Sequence, residues 1–281
     1  MAAIVKQLVQ YLPKAMAGTF VLGYFGIIKP LQFYVRLAVY ILAIAFCAFN
    51  GAVLSAVLTV IGKQGLSQWC VARMFLYIAG TILGIKVVIK NPERLKTRPA
   101  VFISNHQSEL DILILGATFP QYCSVTAKKS LKYYPFLGWF MALSGSVFID
   151  RANRDNALKA FEGAAKKVNR DKQSVFMFPE GTRSYYQEPG LLPFKKGAFH
   201  FAVQAGVPIV PFVVSNYSKV VNFKKRIFEP GVIEIEVLEP IEVTGKETKE
   251  EINQLVEGTR QRMLESAHKL GYGSEYNKKS N

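Results

Sequence analysis

Ala100-Val-Phe-Ile-Ser-Asn-His-Gln-Ser-Glu-Leu-Asp-Ile-Leu-Ile-Leu-Gly-Ala117 is the stretch on which the reading of the whole chain turns. Its opening, Ala100–Ile103, is an apolar, β-branched run of strand length. Its close, Ile112–Ala117, has a helical pattern, and polar residues fill the joint. A short strand handing over to a helix is the unit from which α/β domains are built. The joint carries His106 and Asp111, five residues apart. That separation leaves the imidazole at the strand end and the carboxylate in the first helical turn, within reach of one ring nitrogen.

A carboxylate on one nitrogen fixes the tautomer, makes the ring more basic and stabilises the imidazolium formed when it takes a proton. His106 is therefore a candidate general base and Asp111 its orienter. The same residues have a plainer reading: Ser108 as helix N-cap, with Asp111 completing a capping-box variant. Both stay open at this level. A metal site finds no third ligand, because His200 and His268 stand in unrelated segments.

Downstream the texture repeats. Val147–Ile149, Val175–Phe178, Ile209–Val214 and Val232–Leu238 read as strands, and Asn156–Val168, Ala198–Ala205 and Lys249–Leu270 as helices. Thr248 and Glu251 stand in capping-box spacing before the last helix, which stops before Gly271. The strand at 175–178 runs into Pro179-Glu-Gly-Thr-Arg183. Gly181 can take a positive φ and turn backbone N–H groups toward one point, and Arg183 can grip a phosphate bidentately. A simple surface turn with a Glu180–Arg183 ion pair is the alternative. Lys128-Lys129, Arg151 and Lys195-Lys196 each follow or precede an element and are candidates for the same mouth. No Ser or Cys stands in a recognisable nucleophile setting. A base, an orienting acid and an anion clamp point to direct group transfer onto a phosphate-bearing alcohol.

Upstream, no charged residue occurs from Leu37 to Gly62, longer than the roughly 20 apolar residues that cross a hydrocarbon core. Ala15–Ile28 is uncharged but short, and Trp69–Ile89 is a third apolar stretch, interrupted by Arg73 and Lys86. The 281-residue chain is half hydrophobic, with a formal net charge of +15 and a mean hydropathy of +0.17. Such a balance favours an anionic membrane surface or phosphorylated substrates. No nucleic-acid-binding pattern accompanies the charge. Three isolated cysteines match neither a disulfide scaffold nor a zinc site. The sequon Asn216-Tyr-Ser218 follows a buried strand and is expected to stay unmodified. The division expected is 1–84 membrane-associated helices, 85–271 catalytic domain and 272–281 a polar, frayed tail.

Four blocks, in order, resemble the glycerolipid acyltransferase family, and within it the 1-acyl-sn-glycerol-3-phosphate acyltransferases of fungal type. They are Asn105-His-Gln-Ser-Glu-Leu-Asp111, Phe148-Ile-Asp-Arg151, Phe178-Pro-Glu-Gly-Thr-Arg183 and Val207-Pro-Ile-Val-Pro211. The resemblance implies an α/β fold, a mixed sheet flanked by helices, with an N-terminal membrane-associated helical region. It implies an acyl-CoA co-substrate and no cofactor, with lysophosphatidate and a membrane surface as partners. His106 and Asp111 take the catalytic roles. Lys128, Arg151, Glu180, Gly181, Thr182 and Arg183 take the acceptor-site roles, with Gly181 a candidate oxyanion donor. Other lysophospholipids or glycerol 3-phosphate are alternative acceptors, and a non-catalytic lipid-binding protein is the alternative from another class. The terminal Lys278-Lys279-Ser-Asn281 resembles an endoplasmic-reticulum retrieval signal. Residence there is expected, with the domain in the cytosol and lipid droplets as a further site.

Overall fold

Wholly buried strands cannot alternate apolar with polar residues, and the central strands here do not. A computed structural model describes residue 14 and residues 16–149 and 154–274, and of 154–161 and 167 the backbone only. Seven strands form one sheet in the order β1-β9-β6-β2-β5-β3-β4. They are β1 (Ile85–Lys90), β2 (Val101–Ser104), β3 (Cys123–Lys128), β4 (Val147–Ile149), β5 (Ser174–Met177), β6 (Ile209–Val214) and β9 (Gly231–Val237). All neighbours pair in parallel except β6 with β9, which makes the sheet mixed. A two-stranded hairpin, β7 (Val221–Asn222) and β8 (Ile227–Phe228), stands apart.

Helices cover both faces. On one side α5 (Arg154–Asp171), α6 (Gly197–Ala205) and α7 (Lys249–Leu270) pack on Val101, Ile103, Val175 and Ile209. The capping box of α7 forms: Glu251 N–H donates to Thr248 Oγ1 and Thr248 N–H to Glu251 Oε2. On the other side α1 (Lys29–Val60), α2 (Gln64–Leu83) and α3 (Asp111–Thr118) pack on the alternate residues Phe102, Phe176 and Phe212. The N-terminal helices are therefore a layer of the α/β fold as well as its most apolar surface. Both α1 and α2 are long and apolar enough to cross a membrane.

A buried charge, Arg36, and a partly buried one, Arg73, have specific partners in these helices. The Arg36 guanidinium donates to the Leu83 carbonyl and lies over the Tyr24 and Phe228 rings. Arg73 donates to the Gly116 and Ala117 carbonyls at 2.6 and 2.5 Å, closing the C-terminal end of α3. The apolar run read as Trp69–Ile89 divides at Gly84, whose φ of +62° reverses the chain out of α2 and into β1. Beyond it, Ile85, Val87 and Ile89 alternate with Lys86 and Lys90, a period-two signal that the apolar run concealed. Of the tail, only residues 272–274 are described, and they are tied down: the Tyr272 hydroxyl donates to Glu188 at 2.6 Å, and Ser274 N–H donates to Glu234 at 2.6 Å. The dilysine ending lies outside the described residues.

Candidate active site

β2, β5, β3 and β4 are adjacent and parallel, so their carboxyl ends open on one edge of the sheet. Ligands of such sheets gather at that edge. The string Asn105–Asp111 leaves β2, Phe178–Arg183 leaves β5, and Lys128 ends β3. This shared edge is why motifs seventy residues apart meet. Asp150 and Arg151 follow β4 in the sequence, and both lie outside the described residues.

His106 Nδ1 stands 2.7 Å from Asp111 Oδ2, and Asp111 is almost wholly buried. The carboxylate has four hydrogen-bonding neighbours. Oδ2 also accepts the backbone N–H groups of Gln107 (2.7 Å) and Ser108 (3.2 Å), while Oδ1 accepts the Tyr217 hydroxyl (2.7 Å). Orienting the ring and shaping the turn are thus done by the same carboxylate. The expected Ser108 cap is corrected: the N-cap is Leu110, with no side-chain cap bond. Ser108 Oγ instead accepts Leu110 N–H and pairs with the Tyr217 hydroxyl, because the chain makes a tight turn before α3 begins at Asp111.

The imidazole is clamped from its face as well. Phe178 stacks on it with centroids 3.9 Å apart and planes 13° from parallel. Glu180, assigned to the acceptor site by resemblance, is placed differently. Its carboxylate is buried, accepting His106 N–H at 2.7 Å and Leu192 N–H at 3.0 Å, so it holds the backbone at His106. Ser184 N–H to the His106 carbonyl (2.9 Å) completes the tie between the two strings. Gly181 takes the expected positive φ, +71°, but its N–H donates to the Phe178 carbonyl. That bond closes the turn and takes the donor assigned to the oxyanion. The Lys195 side chain lies over Gly181, where any Cβ would come within 2.9 Å of it.

Burial pushes the Glu180 carboxyl up to about 7, against the two backbone N–H groups that favour its anion. A carboxyl raised in the folded state stabilises the fold fully below its unfolded pKa, and that contribution is lost as pH rises through the folded one. Glu180→Gln should therefore unfold with a flatter pH dependence than the parent between about pH 4.5 and 7, by at most about 3 kcal/mol. Thermal unfolding across that range checks it, and parallel curves would contradict it.

His106, Asp111, Lys128, Gly181, Thr182 and Arg183 all line one cavity of about 650 Å³. Its far walls are apolar and come from the N-terminal layer: Ile44, Cys47 and Ala48 of α1, Val71 and Phe75 of α2. Arg183 is half-exposed at the mouth, 3.1 Å from Glu109 Oε1, to which the Tyr185 hydroxyl also donates. The anticipated Glu180–Arg183 pair does not form, since Glu180 points inward and Glu109 takes the guanidinium. Among the described residues no cluster of His, Cys, Asp or Glu has metal-site geometry. Asn216 of the sequon is buried and donates to the Tyr186 and Glu188 carbonyls. Tyr185 escaped the sequence reading, and Glu109, Phe178 and Tyr217, though inside quoted strings, were given no role there; nothing in their spacing assigns one.

The arrangement sets an oriented imidazole beside cationic side chains, with an apolar chamber behind. Residues 86–215 match the family model described as Acyltransferase. The chain is 45% identical to the 1-acyl-sn-glycerol-3-phosphate acyltransferase of Saccharomyces cerevisiae over 90% of its length and 83% of that protein's. It is 37% identical to the human 1-acyl-sn-glycerol-3-phosphate acyltransferase beta, covering 76% of each chain. In three dimensions it resembles the crystal structure of the 1-acyl-sn-glycerophosphate (LPA) acyltransferase PlsC from Thermotoga maritima. The TM-score is 0.67 at 27% identity, covering 85% of this chain and 96% of that one.

Proposed function

This chain belongs to the 1-acyl-sn-glycerol-3-phosphate acyltransferase family, and from that premise we propose that it acylates the sn-2 hydroxyl of lysophosphatidate from acyl-CoA, giving phosphatidate and CoA. The observation that carries the reading is the 2.7 Å contact of His106 Nδ1 with Asp111, made at the wall of a cavity that also presents Arg183 and Lys128. With Nδ1 committed, Nε2 is the atom left to take the acceptor's proton. As the proton moves to Nε2, the sn-2 oxygen attacks the thioester carbonyl. The tetrahedral oxyanion then collapses, the C–S bond breaks, and the imidazolium returns the proton to the departing thiolate. No acyl-enzyme forms, and no cofactor beyond the co-substrate takes part.

Arg183 and Lys128 receive the acceptor phosphate, which must displace Glu109 from the guanidinium. Planar bidentate contact with phosphate is stronger than a half-exposed ion pair, so the exchange is favourable. Arg183→Ala should raise KM for lysophosphatidate about 10–100-fold with a smaller change in kcat, the pattern expected when a ground-state contact is lost. An unchanged KM removes Arg183 from the phosphate site. The apolar chamber receives an acyl chain.

Membrane placement follows from α1. One stripe of the helix, including Phe33, Tyr40, Cys47 and Gly51, packs on the domain, and the opposite one, including Tyr34, Ile41, Phe46, Phe49 and Val53, is exposed. The domain accompanies α1 from Phe33, against Phe223, to Gly51, beside Phe140. Those 19 residues span roughly 27 Å of helix, close to the hydrocarbon thickness of a bilayer. A helix so flanked cannot cross upright without drawing the sheet in with it. The exposed stripe lies in the cytosolic leaflet of the endoplasmic reticulum or on a lipid droplet, with the domain above it.

A further inference from the structure

The segment from Lys128 to Leu143 walls the cavity on one side, and on the other no described residue covers its large apolar side chains. Leu131, Leu137, Phe140 and Met141 face the cavity. Tyr133, Tyr134, Trp139 and Leu143 point away from it, with Tyr133 75% and Trp139 57% exposed. A soluble surface does not gather that many large apolar side chains on sixteen residues without a partner. The composition is specific: Tyr and Trp interleaved with Lys129 and Lys132, the pairing that favours the headgroup level of a bilayer.

Two further features argue for a lipid partner. The element is fixed in its exposed form. At Gly138 a Cβ would fall 2.2 Å from the Lys132 carbonyl oxygen, so the loop is folded tightly back on α4 (Leu137–Leu143). The surface is also continuous with the exposed stripe of α1. Phe136 packs edge-on against Phe49 of α1 at 5.6 Å and against Trp139 at 5.3 Å. An apolar band therefore runs from the helix onto the cavity wall, with cations along it that suit anionic lipid.

We propose that the Lys128–Leu143 element inserts its aromatic face into the bilayer interface as a second membrane contact, forming the wall past which an acyl chain enters the cavity from the membrane. The insertion is independent of catalysis. The passage of a chain rests on the acyltransferase reading given above.

The chain holds two tryptophans, so Trp69→Phe leaves Trp139 as sole reporter. The full chain is reconstituted in phosphatidylcholine vesicles containing phosphatidate, with bromine on shallow acyl carbons. Trp139 should lose most of its emission intensity relative to unbrominated vesicles. A matched reporter, Phe46→Trp with both native tryptophans replaced by Phe, reads α1 in the same vesicles. Quenching at position 46 with none at Trp139 overturns the insertion. So does Trp139 emission that ignores lipid bromination but changes with protein concentration, which would mean that a second copy covers the face. In a separate arm, Tyr133→Ser/Tyr134→Ser should raise KM severalfold for vesicle-borne long-chain lysophosphatidate and leave KM for a short-chain, water-soluble one unchanged. An equal effect on both overturns the entry route while the quenching still reports the insertion. Absence of turnover in the parent would count against the acyltransferase reading alone.

Discussion

His106→Ala is expected to lower kcat for lysophosphatidate-dependent CoA release by at least about a thousandfold, the upper range for losing a positioned general base. An sn-2 alcohol is a poor nucleophile until its proton has somewhere to go, and among the cavity-lining residues only this imidazole is held by a buried carboxylate. The substitution also removes the stack on Phe178, so the variant's unfolding midpoint must be measured beside its rate. The tie from Glu180 to the backbone N–H of residue 106 does not depend on the side chain and should survive. An alanine variant that folds, inserts and still turns over at more than about a tenth of the parental rate would remove His106 from the chemistry.

Asp111→Asn is expected to cost about 10²–10³ in kcat, and the structure explains why the loss should be smaller than for the base. If the amide oxygen takes the place of Oδ2, it can still accept from His106 Nδ1, Gln107 N–H and Ser108 N–H. The amide nitrogen then meets the Tyr217 hydroxyl, which can accept as well as donate. Turn and tautomer persist, and what disappears is the charge that stabilises the imidazolium. Asp111→Ala would confuse that loss with the cost of leaving several buried donors without a partner. A full rate in the Asn variant would mean that Asp111 serves only the turn. A failure to fold, seen in thermal unfolding, would mean that the charge is structural.

Local links in the chain were legible in the sequence, and long-range ones were not. The alternation of strands and helices after Arg98, the capping box before α7 and the positive φ of Gly181 are each set within a few residues, and they were legible. So was the His106–Asp111 pair, because five residues of a strand–turn–helix joint fix its reach. What escaped depends on chain segments that only the sheet order brings together. Tyr217 reaches Asp111 across 106 positions, from a tripeptide whose visible pattern was a glycosylation sequon. Glu180 lost its expected partner for the same reason: the backbone N–H groups of His106 and Leu192 claim its carboxylate, and Arg183 pairs with Glu109 instead. The N-terminal helices illustrate the converse. Their apolarity was plain, but that one stripe of it covers Phe102 and Phe176 and closes a cavity is visible only in three dimensions.

The central claim is that acyl transfer to lysophosphatidate occurs directly at this histidine. The measurement closest to it follows free CoA and phosphatidate together, using purified full-length protein in vesicles, acyl-CoA and a panel of acceptors. The predicted result is one phosphatidate for each CoA, strict dependence on lysophosphatidate, and loss of both products in His106→Ala. CoA released without an acceptor, or equal rates on acceptors that lack the phosphate, would contradict it.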